Sequence, residues 1–136
     1  MWQKGEELNI TIQKAMKEAN ITSQDVGLIS AHGTATIYND EMEAKAFALA
    51  KMNTIPLNSL KGYYGHTLGA AGLIESIISI RSMVEEKIIP SKGMDKLGVT
   101  VPLNINTTLK NASIDHCLKT ASGFGGCNAA IIFSKS

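Results

Sequence analysis

The chain has 136 residues and a formal net charge of +1; 44 % of its residues are hydrophobic, 18 % are charged, and its mean hydropathy is +0.04. This is the balance of one globular domain of ordinary size. It lacks the basic excess of a nucleic-acid or membrane-surface binder, and no apolar run is long enough to cross a bilayer. The opening residues Met1-Trp2-Gln3-Lys4 carry no secretory signal, so Cys117 and Cys127 read as free thiols of a reducing, cytoplasmic compartment.

Leu8, Ile12, Ala15, Met16 and Ala19 recur at helical spacing and predict an amphipathic helix over residues 6–20. Residues 26–30 are a short apolar run, read as a buried strand ending at His32-Gly33. A second helix is expected to start near Asn39, with Asn39 as N-cap and Asp40, Glu41 and Glu43 complementing the positive helix end. Its apolar face is Met42, Ala46 and Leu49. Residues 55–57 predict a second short strand, which leads into a glycine-rich loop around His66.

A third helix is expected from about residue 69 to 86. Leu73, Ile77, Ile80 and Val84 mark one face, and Ile74 and Ile78 widen it, so burial on more than one side is predicted. Gly72 in its first turns costs roughly 1 kcal/mol relative to alanine, which a close approach of backbone or ligand would justify. Residues 91–111 read as mostly loop. Residues 117–121 and 129–133 read as strands flanking the tight turn Ser122-Gly123-Phe124-Gly125-Gly126.

The order α-β-α-β-α-β-β describes an α/β domain over residues 1–136, with a mainly parallel or mixed sheet covered by helices. In such sheets ligands bind at the carboxyl ends of strands. His32, the His66 loop and the 122–126 turn all fall at strand ends and are expected to converge. An imidazole set among glycines suits proton or hydrogen-bond chemistry. The histidines and cysteines are too scattered for a compact metal-ligand pattern, so no metal and no cofactor is expected. His116 reads as structural, and Cys117 as a small buried residue.

Three segments carry a resemblance. His32-Gly33-Thr34-Ala35-Thr36 with Asn39-Asp40 and Glu43 is similar to an H-G-T-x-T…D-x-x-E pattern. The run from Ser59 through Lys61, Gly65-His66, Gly69-Ala70-Ala71-Gly72 to Glu75 is similar to S-x-K-x-x-x-G-H-x-x-G-A-A-G-x-x-E. Gly123-Phe124-Gly125-Gly126-Cys127-Asn128 is similar to G-F-G-G-T-N. In this order the chain resembles the C-terminal half of a β-ketoacyl-[acyl-carrier-protein] synthase, the condensing enzyme of fatty-acid and polyketide assembly.

The resemblance implies the second half of a thiolase-like fold and an acyltransferase that performs a decarboxylative Claisen condensation. The nucleophilic cysteine belongs to the family's first half and has no counterpart here, so the chain alone is expected to be inactive. His32 and His66 take the places of two imidazoles that stabilise the enolate oxygen. Lys61 and Glu75 take those of a lysine and an acid in the same catalytic network, with Lys61 expected to keep His66 neutral. Thr34 and Thr36 match threonines that bind the phosphopantetheine arm of acyl carrier protein, and Phe124 matches an aromatic gate. The implied partners are acyl carrier protein, the missing N-terminal half and, in the full-length enzyme, a second copy.

Three further departures from the pattern stand out: Ser122 stands where many members have a second phenylalanine, Cys127 replaces threonine, and Gly62-Tyr63-Tyr64 fills the lysine-to-histidine spacer unusually. A non-catalytic partner subunit, like the chain-length factor of synthase heterodimers, is the alternative; retention of both histidines and the lysine argues against it. A thiolase is disfavoured because Cys127-Asn128-Ala129 lacks its C-x-G turn.

Overall fold

The computed structural model describes residues 5–93, 98–123 and 125–136. Helix α1 (Glu6–Glu18) buries Leu8, Ile12 and Met16 along the predicted stripe. Strand β1 (Leu28–Ser30) follows, then α2 (Ile37–Leu49), β2 (Leu57–Asn58), the one-turn helix α3 (Lys61–Tyr64) and α4 (Ala71–Glu85). The chain closes with β3 (Lys87–Ile88), β4 (Lys110–Asn111), β5 (His116–Ser122) and β6 (Asn128–Ser134).

Four strands form one mixed sheet in the order β2-β1-β5-β6. β1 pairs in parallel with β2 and β5, and β5 runs antiparallel to β6. The β5–β6 hairpin fulfils the predicted turn, closed by Gly123 N–H donating to Cys127 O at 2.8 Å. β3 and β4 pair as a separate two-stranded ribbon, and of the two only β4 lies within residues 91–111, the region read as mostly loop.

The sheet has a layer on each face, because alternate strand residues point to opposite sides. On one side Ile29, Leu57 and Leu118 pack with Leu8, Ile12 and Met16 of α1 and with Ala46 and Phe47 of α2. On the other, Leu28 and Cys117 pack with Met83 of α4, Ile88 and Ile114. The same alternation sends Lys119 and Thr120 of β5 to opposite faces, which positions the site described below.

Three expectations need correction. Helix α2 begins at Ile37 after Thr36, two residues before the expected start, and Asn39 lies inside it. The Asn39 side chain is not a cap; it donates to Glu43 Oε2 at 3.0 Å. Helix α4 is not buried on more than one side in this chain. Leu73, Ile77, Ile80 and Val84 are 67 %, 53 %, 41 % and 65 % exposed, while Glu75, Ser79 and Ser82 face the sheet. Nor does any neighbour crowd Gly72: among the described residues a Cβ there would meet nothing within 4 Å.

Candidate active site

The carboxyl end of β1 delivers His32 into a loop that the rest of the domain holds by its backbone. Gly33 adopts φ +46°, and a Cβ there would clash with Ser59 Oγ, which donates to Gly33 O at 2.9 Å. From α2, the buried carboxylate of Glu43 accepts the His32 N–H and the Gly33 N–H, each at 2.8 Å. Its Oε1 also accepts the Thr120 hydroxyl at 3.0 Å. Burial raises the Glu43 pKa, and the donated N–H groups of Gly33 and His32 oppose that rise.

Lys61, on α3, is the hub of the other side. Its ammonium bonds Glu75 at 2.9 and 3.1 Å, hydrogen-bonds the His32 carbonyl, and lies 3.3 Å from His32 Nδ1. Glu75 is fully buried in the sheet-facing side of α4, so the acid that the sequence placed in an apolar helix has its partner. The imidazole that Lys61 contacts through Nδ1 is His32, not the expected His66. An ammonium only donates, so His32 Nδ1 accepts and its single ring proton sits on Nε2. His32 is 6 % exposed. Burial first, then the Lys61 and Lys119 charges, lowers its pKa from 6.5 to about 4, so at neutral pH it is an uncharged N–H donor.

His66 follows Gly65, which takes φ +80° to end the α3 turn. His66 Nδ1 accepts the Leu68 N–H at 2.9 Å, which likewise leaves the neutral ring's proton on Nε2. The two rings meet edge to face, centroids 5.2 Å apart and planes at 83°. His32, Lys61, His66 and Glu75 are thus brought together. Thr34 and Thr36 lie on the loop between β1 and α2, their hydroxyls 2.9 Å apart. Phe124 lies outside the described residues. Tyr63 donates to Pro90 O at 2.6 Å, which ties the α3 turn to the segment that follows β3.

Sequence reasoning missed Lys119, whose Nζ lies 2.9 Å from Glu75 Oε1. A lysine inside the apolar strand run Cys117-Leu118-Lys119-Thr120-Ala121 was the available signal, because a buried ammonium demands a carboxylate or carbonyl partner. Cys117 is buried and its thiol is pushed up to about 12 by that burial, so it is no ready nucleophile. Cys127 is exposed. His116 Nδ1 pairs with Ser134 Oγ at 2.7 Å across the β5–β6 pair, away from the other two histidines.

The family described as beta-ketoacyl synthase, C-terminal domain, matches residues 1–95. The chain belongs to the β-ketoacyl synthases. It is 33 % identical over 132 residues to the 3-oxoacyl-[acyl-carrier-protein] synthase 2 of Vibrio cholerae, covering 93 % of this chain and 32 % of that protein. It is 31 % identical over 125 residues to a polyketide biosynthesis malonyl-ACP decarboxylase of Bacillus subtilis, covering 88 % of this chain and 29 % of the relative. A crystal structure of a β-ketoacyl synthase from Burkholderia phymatum superposes with a TM-score of 0.90 at 28 % identity, over 94 % of this chain and 32 % of that one. This synthase chain therefore spans about a third of the length of each of these three relatives. The expected thiolase-like α/β fold and family are both found.

Proposed function

We propose that these residues form the decarboxylating side of a β-ketoacyl-[acyl-carrier-protein] synthase. The observation that carries the reading is the pair of imidazoles 5.2 Å apart, each with Nδ1 accepting and Nε2–H left to donate. When a malonyl thioester loses carbon dioxide, the breaking carbon–carbon bond leaves its electron pair on the thioester as an enolate. Two neutral N–H donors stabilise that oxygen where charge develops. The enolate carbon then attacks a cysteine-held acyl thioester and expels the thiolate. His32 and His66 are the donors, burial and the Lys61 charge keep His32 neutral, Glu75 holds Lys61 in place against it, and Thr34 and Thr36 meet the phosphopantetheine arm of the carrier protein.

In this reading the nucleophilic cysteine lies on a segment outside these 136 residues. The outward stripe of α4 supports that: four large aliphatic side chains on one helix face call for a covering layer. The isolated 136-residue chain is expected to bind a hydrophobic dye or to self-associate, and Ile77→Lys with Val84→Lys to reduce both. A dye-silent monomer in sedimentation would contradict the covering layer.

The functional reading is tested with malonyl- and acyl-carrier protein as substrates. The intact protein that carries this chain is expected to decarboxylate and condense, and the 136 residues alone to yield no condensation product. An intact protein that does neither, or an isolated chain that condenses, overturns the proposal.

A further inference from the structure

Lys119 lies in none of the three motif segments, yet it is 3 % exposed and more densely bonded than any surface role requires. Its ammonium is 2.9 Å from Glu75 Oε1, 3.3 Å from both Ser30 O and Ala31 O, and 2.6 Å from Thr120 O. Lys61 reaches the same Glu75 Oε1 at 3.1 Å and also holds His32 O. Two ammonium groups thus share one buried carboxylate oxygen and together grip three successive carbonyls, those of residues 30, 31 and 32. On the amide side Glu43 accepts the His32 and Gly33 N–H groups. The strand end that carries the His32 ring is clamped by cations on one side and an anion on the other.

A buried ion pair is weak evidence of stabilisation, because an apolar residue of similar volume often does as well. The arrangement around Lys119 fits a different task. We propose that Lys119 is a positioning residue for the decarboxylating site, fixing Glu75 and the 30–32 backbone so that Lys61 sits on His32 Nδ1 and His32 presents its Nε2–H to substrate. This rests on the role given to His32 above. The charged and titratable groups that face His32 are Lys61 from α3, Glu75 from α4, Lys119 from β5, His66 from the adjoining loop and Glu43 from α2, the last through the backbone amide. Removing Lys119 deletes one cation and leaves Glu75 less compensated, and both changes favour the imidazolium.

The test uses the intact protein with ¹³C-labelled histidine, with His32→Gln identifying the His32 signal. In Lys119→Met the His32 titration is expected to move up from about 4 toward the ordinary 6.5. The turnover number for decarboxylation of malonyl-carrier protein is expected to fall about 10- to 100-fold, with KM unchanged, because the donor is misplaced and not removed. Should Lys119→Met fail to fold, Lys119→Gln, which keeps a hydrogen-bond donor without charge, makes the same comparison. An unshifted His32 titration in either folded variant overturns the proposal. So does collapse of both variants, which would make the lysine a structural member only. A wild-type protein that fails to decarboxylate defeats the functional reading instead, and the His32 titration still decides the place of Lys119.

Discussion

Replacing His66 by alanine is expected to slow malonyl-carrier decarboxylation by about 10²- to 10³-fold while leaving acyl transfer to the nucleophilic cysteine intact. The split follows from where the ring stands. His66 is exposed on a loop, and its Nδ1 is committed to the Leu68 N–H, so only Nε2–H is left for chemistry. On the proposed reading that donor faces charge only when the malonyl unit becomes an enolate, and acylation of the cysteine develops its charge on a different carbonyl. The check is paired: carbon dioxide release from malonyl-carrier protein, and radiolabelled acyl transfer to the protein. Loss of both activities together would mean that His66 organises the whole site, and retention of decarboxylation would remove the ring from the reaction.

The second large effect is on stability. Glu75→Ala is expected to destabilise the intact protein by about 3–5 kcal/mol, because it strands two ammonium groups in a dry interior. Lys61 and Lys119 are 7 % and 3 % exposed and each hydrogen-bonds the buried Glu75 carboxylate. Glu75→Gln keeps an acceptor but not the charge and is expected to fall between wild type and Glu75→Ala. Adding Lys119→Met to Glu75→Gln lowers the buried positive charge by one and is expected to recover part of the loss. That non-additivity is the signature of groups in one network. The measurement is the shift of the denaturation midpoint at constant slope. A loss below about 1 kcal/mol for Glu75→Ala would mean that water reaches the lysines and that the cluster is not dry.

Much of this was legible in the residue string, for identifiable reasons. The α1 stripe of Leu8, Ile12 and Met16 lies against a sheet, so its period and its burial coincide. Helix α4 has the same kind of stripe and the opposite outcome. Its Leu73–Val84 face points outward and Glu75, Ser79 and Ser82 point inward, because the sheet beneath carries Lys119. Hydrophobic period marks which residues share a face, but what lies opposite that face belongs to another part of the chain. The α2 start was misplaced for a related reason: Asn39 has the chemistry of a cap, but its amide is engaged by Glu43 one turn later, inside the helix.

What the sequence by itself determined is the family, the α/β order and the presence of His32, Lys61, His66 and Glu75, because glycine-bounded motifs constrain the backbone locally and survive as strings. Only the tertiary structure decided which groups touch. It set Lys61 on His32 and not on His66, left both ring protons on Nε2, and brought Lys119 from β5 to Glu75 across 44 residues of chain. Those contacts come from the parallel pairing of β1 with β5 and the crossing of α4 over them. Such long-range partners leave no periodic trace along the chain, while the burial they require shows in the string only as a charged residue where an apolar one was due.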